Sequence, residues 1–328
     1  MANRQLAENR ADRVIIIVGL AVIALFFGWS AFRFLCDDAY IAFRYVANSQ
    51  LGYGYVWNPP PFLPVEGYTC FLWILLLDFV WTVTGVEPTI SSNWLGLGFG
   101  IGSVLVTTRM VCSIPFCSKL SPYRDVLLTI VMLGLVTNAT FLTWTSSGLE
   151  TSLFNFLLLA WVASCFTTRP NSRISVLAIS LSSSLLALTR PDGLLFAVIS
   201  SAIIMAEARS TPTRRRVTVF RFALPLVLPG IHVLWRYSFY GEWLPNTYYA
   251  KQVAAWPQSG VRYLTSFLLE YGLWFWGGLA LWCLVVILRA GHFEYRTALR
   301  APGQMTRALV LIAIFAHLSY YTLIIGGD

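Results

Sequence analysis

The chain has 328 residues, 57% of them hydrophobic and only 12% charged, with a mean hydropathy of +0.67 and a formal net charge of +8. So apolar a composition excludes an ordinary soluble domain and predicts an all-α, polytopic transmembrane helical bundle. The positive charge does not indicate nucleic acid, because the Lys and Arg residues fall in short clusters between apolar runs, the distribution that the positive-inside bias produces.

The first apolar run, "RVIIIVGLAVIALFFGWSAF" (13–32), lacks an A-x-A-like cleavage site and reads as a retained first span. Basic segments follow at intervals: Arg4 to Arg13, 109–124, 169–173, "RSTPTRRRVTVFR" (209–221) and 289–307. Placing all of them in the cytoplasm, with the N-terminus, puts 35–89, 143–150, 190–193, 239–263 and the end of the sequence on the extracytoplasmic side. The run "CFLWILLLDFVWTVTG" (70–85) then lies between two outer positions and cannot simply span. It is short, rich in Trp and carries Asp78, so it is expected to be an interfacial helix in the first extracytoplasmic loop.

About nine spans result, near 14–34, 90–110, 126–143, 151–168, 174–189, 193–208, 218–238, 264–288 and 308–325. "TRPDG" between the fifth and sixth either turns the chain or kinks a tilted pair. With no legible repeat, residues 1–328 read as a single membrane domain of the cell (inner) membrane, its first outer loop at 35–89. The final "LIIGGD" follows a span directly, as in a shortened member of a longer family.

Six cysteines are present; Cys112 and Cys117, spaced C-x4-C, have no nearby histidine, so isolated packing cysteines are the favoured reading, and only Cys36 and Cys70 share a loop in which a pair could form on an oxidising side. His232, His292 and His317 are scattered, so no metal-ligand cluster and no cofactor is legible. A divalent ion between Asp37, Asp38 and a phosphate is chemically possible without being required.

The outer loops nevertheless concentrate charge. In "DDAYIAFRYVAN", Asp37 or Asp38 can cap a helix that places Tyr40 and Arg44 on one face. The prolines of "VWNPPPFLP" then enforce an extended path that returns through "VEGYT" with Glu66 and Tyr68. "WTSSGLET" supplies Glu150, "TRPDG" supplies Arg190 and Asp192, and "RYSFYGEWLPNTYYAK" supplies Arg236, Glu242, Asn246, Tyr248 and Lys251. Ionisable groups at a membrane boundary are retained where they pair or act. A structural reading accompanies each: Asp38 as an N-cap, Glu66 as a cap or anchor, Glu150 paired with a helix end, Arg190 with Asp192 across the Pro turn, and the Trp and Tyr residues as an interfacial belt.

The segments "DDAYIAFRYVANSQLGYGYVWN", "VEGYTCFLW", "TSSGLETSLF", "TRPDG" and "FYGEWLPNTYYAK" together resemble the C-type integral membrane glycosyltransferases, in particular the group containing the terminal arabinofuranosyltransferases of bacterial envelopes. The resemblance implies a polyprenyl-phosphate sugar donor, carrying a pentose such as arabinofuranose or another sugar, and a cell-envelope glycan or lipid acceptor. It implies transfer on the extracytoplasmic face, helices lying along the bilayer in the first outer loop, and an aspartate of that loop as catalytic base. Asp37 or Asp38 would be that base, Asp38 the less favoured if it is the cap. Arg44, Arg190 and Lys251 would contact phosphate, Glu66, Glu150 and Asn246 would position sugar hydroxyls, and Tyr40, Tyr68 and Tyr248 would stack on sugar or isoprenoid. "NPPPFLPVEGYTC" departs from the commoner spacing. A transporter or flippase of a lipid-linked sugar, or a non-catalytic assembly protein, would share the spans and basic loops. A transporter, however, favours ionisable groups near the bilayer midplane in paired halves.

Overall fold

The computed structural model describes residues 2–113, 121–167, 173–209, 219–250, 256–272 and 304–320, with isolated positions at 274, 277, 278, 281, 282, 285 and 322. Among them every regular element is helical, and there is no strand. The helices are α1 (Ala2–Ala31), α2 (Ala39–Gln50), α3 (Phe71–Thr84), α4 (Pro88–Ser113), α5 (Arg124–Val136), α6 (Ala139–Ser146) and α7 (Thr151–Thr167). After these come α8 (Arg173–Thr189), α9 (Leu194–Arg209), α10 (Leu228–Tyr240), α11 (Asn246–Ala250), α12 (Pro257–Glu270) and α13 (Gln304–Ser319).

Among the described residues two helices, Arg10–Ala31 and Pro88–Ser113, are long and apolar enough to cross a membrane, and a third span exists if the bent pair α5 and α6 counts as one. The helix lengths of the described residues thus do not confirm nine spans. The expected span at 126–143 is two helices bent by 57°, because Asn138 leaves the helical conformation and its Oδ1 accepts the Phe141 amide at 2.8 Å as an N-cap. Near 218–238 the prolines of "LPLVLPG" impose a 3₁₀ turn (Leu224–Val227) ahead of α10. "TRPDG" becomes a single 3₁₀ turn (Pro191–Gly193) between α8 and α9. The run at 70–85 is the 14-residue α3, about 21 Å long and so too short to cross a hydrocarbon core of about 30 Å unaided. The expected span at 264–288 is described only through Glu270 and scattered positions beyond. Along α1, Ile15, Ile16, Leu20, Ile23 and Phe27 are exposed, an apolar face suited to lipid and not to water.

Two apolar cores share α4. One gathers Leu25 and Trp29 of α1, Val104 of α4, and Leu128 and Met132 of α5. The larger joins Tyr45 of α2, Trp73, Ile74 and Leu77 of α3, Trp161 of α7, Ile179 of α8 and Phe196 of α9, with Val310 and Ala313 of α13. Small residues set the spacing between helices, as they do where no water-driven force brings helices together. A Cβ added at Gly96 of α4 would lie 2.3 Å from the Thr145 carbonyl oxygen, and Ser152 of α7 donates to the Gly96 carbonyl at 2.7 Å. Between α7 and α9, Trp161 Nε1 donates to Ser200 Oγ at 2.8 Å.

Candidate functional site

Where the chain leaves α1 it is tied to the end of α6. Ser146 Oγ donates to the Phe32 carbonyl at 2.7 Å, and the Cys36 amide donates to the Ser147 carbonyl at 2.9 Å. A turn at Asp37 and Asp38 then leads into α2. Asp38 occupies the N-cap position, but its backbone is already helical (φ −60°, ψ −25°) and its carboxylate makes no capping bond. The cap expected of Asp37 or Asp38 is therefore absent. Asp37 instead uses Oδ1 to accept both the Cys36 thiol (3.2 Å) and the Asp38 amide (3.0 Å). Those two bonds, the thiol first, hold the Asp37 carboxyl below its usual range.

The "SSGLE" turn faces this pair. Gly148 sits at φ +81°, the left-handed region that favours glycine, and a Cβ there would crowd Leu35 Cδ2 at 2.7 Å and Ser92 Oγ at 3.3 Å where the segments meet. Glu150, one step beyond the turn, is largely buried. Burial raises its pKa, the Arg190 guanidinium opposes that rise, and the charges of Asp192 and Asp38 add to it. Asp38 and Glu150 thus lie within electrostatic reach of each other. Arg190 Nε stands 3.9 Å from Glu150 Oε1 and 3.6 Å from Asp192 Oδ1, with its guanidinium over the Phe154 ring. His317 of α13 completes the group, its Nδ1 3.5 Å from Asp192 Oδ2. Nothing near His317 in the sequence pointed to this partnership.

Cys36 and Cys70 are free thiols, so the disulfide envisaged between them is not formed. Cys70 is buried at the start of α3, where burial pushes its thiol well up.

The first loop folds on side-chain anchors. Arg44 donates from Nε to the Trp57 carbonyl (2.8 Å) and from Nη2 to Asn58 Oδ1 (2.9 Å), and its guanidinium covers the Trp57 ring. These bonds turn Arg44 toward its own loop. Asp78 receives Ser49 (3.1 Å), Gln50 (2.6 Å) and Tyr55 (2.7 Å), which fastens α2 and the loop to α3. The Tyr45 hydroxyl donates to the Val65 carbonyl and accepts the Gly67 amide, and burial pushes its pKa up to about 12.

Glu66 is 3% exposed and faces Arg236 of α10, 8% exposed, at 2.5 Å between Oε2 and Nε. The contact is an ion pair by distance, yet the Arg236 Nε–H is not aimed at the carboxylate, and neither Glu66 oxygen receives a directed hydrogen bond. Burial outweighs the guanidinium and leaves the Glu66 pKa raised. A sugar-contacting role for Glu66 does not fit this enclosure. Tyr68 is likewise enclosed: its ring packs edge-on against Tyr45, and its hydroxyl lies 3.1 Å from that of Tyr240, which donates to the Tyr55 carbonyl at 2.6 Å. Stacking on a ligand does not fit such a ring.

Tyr40, Asn246 and Tyr248 remain exposed. The Asn246 amide donates to the Glu66 carbonyl at 2.9 Å, which docks the start of α11 on the first loop. Lys251 lies outside the described residues. Sequence reasoning named Arg236 without giving it a role and did not find Tyr240 or His317. A buried carboxylate in so apolar a chain was a signal that Glu66 has a basic partner. The ligand atoms of Cys36, Asp37 and Asp38 lie within 4.8 Å of one another, with both aspartates exposed.

A helical, apolar chain whose charged loop residues gather in this way is similar in sequence to glycosyltransferases. It is 27% identical over 336 aligned positions to the terminal β-(1→2)-arabinofuranosyltransferase of Corynebacterium glutamicum, covering 94% of this chain and 46% of that protein. The terminal β-(1→2)-arabinofuranosyltransferase of Mycobacterium tuberculosis is 27% identical over 285 positions, covering 80% of this chain and 42% of the relative. The resemblance carried by the quoted motifs is thus borne out, and the chain spans under half the length of these curated relatives. No protein-family model matches the chain, and no solved structure matches it.

Proposed function

We propose that the protein is a membrane glycosyltransferase that moves a sugar, a pentose such as arabinofuranose, from a polyprenyl-phosphate donor to a cell-envelope glycan or lipid acceptor on the extracytoplasmic face. The observation that carries the proposal is the gathering of Asp38, Glu150, Arg190 and Asp192, drawn from three separate loops, in a chain similar over most of its length to two arabinofuranosyltransferases. Transfer requires a base for the acceptor hydroxyl, stabilisation of an oxocarbenium-like sugar, and a cation or donors for the departing phosphate.

Asp38 is the better base of the two aspartates. Its carboxylate is exposed and makes no capping bond, whereas Asp37 already accepts a thiol and an amide. Asp38 takes the acceptor proton; the acceptor oxygen forms a bond to the anomeric carbon as the bond from that carbon to the donor phosphate breaks, and the phosphate leaves with the electron pair. The step as written needs no cofactor. Arg190, a third exposed, and Lys251 meet the phosphate, and Asn246, Tyr40 and Tyr248 meet the sugars. Glu66 and Tyr68 support the wall behind them.

The test is transfer of labelled sugar from polyprenyl-phosphate arabinofuranose in membrane vesicles. Asp38→Asn should lose about 10²–10⁴-fold in rate, the share a general base supplies, while Asp37→Asn keeps part of the activity. Transfer by both variants at the wild-type rate overturns the assignment; lipid movement across the bilayer without sugar transfer by wild type establishes a transporter. Maleimide labelling of Val86→Cys from outside would place the end of α3 on the outer face, and labelling from the cytoplasm alone would reverse that topology.

A further inference from the structure

We propose that Asn93 is the positioning residue of the acidic loop, a role that rests on the glycosyltransferase reading for its effect on rate. Asn93 lies near the start of α4 and is 2% exposed. Its Nδ2 donates to the Ser146 carbonyl at 2.7 Å and to the Phe34 carbonyl at 3.2 Å, and its Oδ1 accepts Arg33 Nε at 3.1 Å. Both kinds of hydrogen-bonding group on the amide are therefore in use, and the bonds join three segments of chain: the exit of α1, the start of α4 and the end of α6.

Two of those segments run straight into the acids. Phe34 precedes Asp37 and Asp38, and Ser146 precedes Glu150, each by one short turn. Neighbouring bonds join the same two segments in opposite directions, from Ser146 Oγ to the Phe32 carbonyl and from the Cys36 amide to the Ser147 carbonyl. The placement of Asp38 relative to Glu150 is thus set by how the two strands of chain sit against one amide. An aliphatic residue at this position would leave the buried Ser146 carbonyl and the part-buried Phe34 carbonyl without this donor and loosen the register of the two segments. Displacement of a catalytic group by about 1 Å costs roughly 10²-fold in rate, so a residue that touches no substrate acts strongly through geometry.

The experiment compares Asn93→Ala and Arg33→Ala with wild type in membrane vesicles, measuring kcat and donor KM together with the maleimide labelling rate of Cys36 by peptide mass spectrometry. Arg33 is exposed and gives up a single bond, so its variant folds even if Asn93→Ala is poorly inserted. Positioning predicts that kcat falls about tenfold to 10²-fold for Asn93→Ala and a few-fold for Arg33→Ala, with donor KM within about threefold and faster Cys36 labelling in both. An unchanged kcat, or a change confined to KM, overturns it. If wild type itself transfers no sugar, the glycosyltransferase reading fails, and Cys36 labelling alone decides the clamp: faster labelling in the variants supports it, and unchanged labelling overturns it.

Discussion

The Glu66–Arg236 pair offers the sharpest test of what holds the first loop against α10. Both groups are nearly inaccessible, their heavy atoms are 2.5 Å apart, and the carboxylate has no directed hydrogen bond. Desolvating two ions costs several kcal/mol each, and here the cost is offset by a charge contact of imperfect direction, so the net contribution of the pair is small. Removing one partner is a different matter, because it strands the other charge among Tyr45, Tyr68 and Tyr240. Glu66→Ala or Arg236→Ala alone should cost about 3–5 kcal/mol, whereas Glu66→Leu with Arg236→Met should be near neutral or stabilising by roughly 1–4 kcal/mol. Thermal unfolding in detergent, followed by near-UV signals from this Tyr-rich wall, orders the variants. A double replacement as costly as the two single losses added together would refute the reasoning, since it would mean that the pair contributes on its own account.

Other consequences follow from the same contacts. Burial raises the Glu150 pKa above its ordinary value of 4.5, so the folded state keeps a proton that the unfolded chain gives up, and stability is lost as pH rises from 4.5 through the raised pKa. Wild type should accordingly gain on Glu150→Gln as the pH falls from about 7 toward 4.5; parallel melting curves would count against a buried, raised carboxyl. Asp78→Ala removes the acceptor of Ser49, Gln50 and Tyr55 and should cost about 2–4 kcal/mol, with faster proteolysis within 51–68 as the local sign. Gly96→Ala forces α4 away from the Thr145 carbonyl and should destabilise by about 1–3 kcal/mol or more, while Gly98→Ala, where the added Cβ meets nothing within 4 Å, should be close to neutral; equal melting temperatures would contradict the close approach of α4 and α6.

Which residues would matter was more legible in the sequence than what each would do. Asp37, Asp38, Glu150, Arg190 and Asp192 stand out because charge is rare and costly in an apolar chain, and the structure brings Asp38, Glu150, Arg190 and Asp192 together. Glu66 stood out for the same reason and Tyr68 by standing beside it in "VEGYT", but their side chains turn inward to Arg236 and Tyr240, contacts between distant parts of the chain that no local pattern encodes. Asn93 gave no signal at all, since an amide in "SSNWLG" looks like any residue near a helix start until its three hydrogen bonds are seen. Helicity was legible from hydropathy, but the number of spans was not. An apolar count is blind to an Asn138 cap or to the prolines of "LPLVLPG", which divide apolar runs into shorter helices.

The electrostatics of the loop cluster make the state of Glu150 more than a matter of stability. The carboxylates of Glu150 and Asp192 flank the Arg190 guanidinium, with Asp38 in electrostatic reach of Glu150, and in the proposed reaction a donor phosphate arriving there would add further negative charge. If every acid is ionised, the local field opposes the donor, and Arg190 is held by two carboxylates that compete with the phosphate. Burial of Glu150 shifts the balance, because a raised pKa moves this residue toward the neutral form and weakens its hold on Arg190. Asp38, exposed beside the same cluster, is the base of the proposed transfer. Of these two acids within electrostatic reach, the enclosed one, Glu150, is the one whose pKa burial raises. In the proposed transfer, a Glu150 shifted toward its neutral form would ease the arrival of an anionic leaving group at Arg190 while the exposed Asp38 serves as the base.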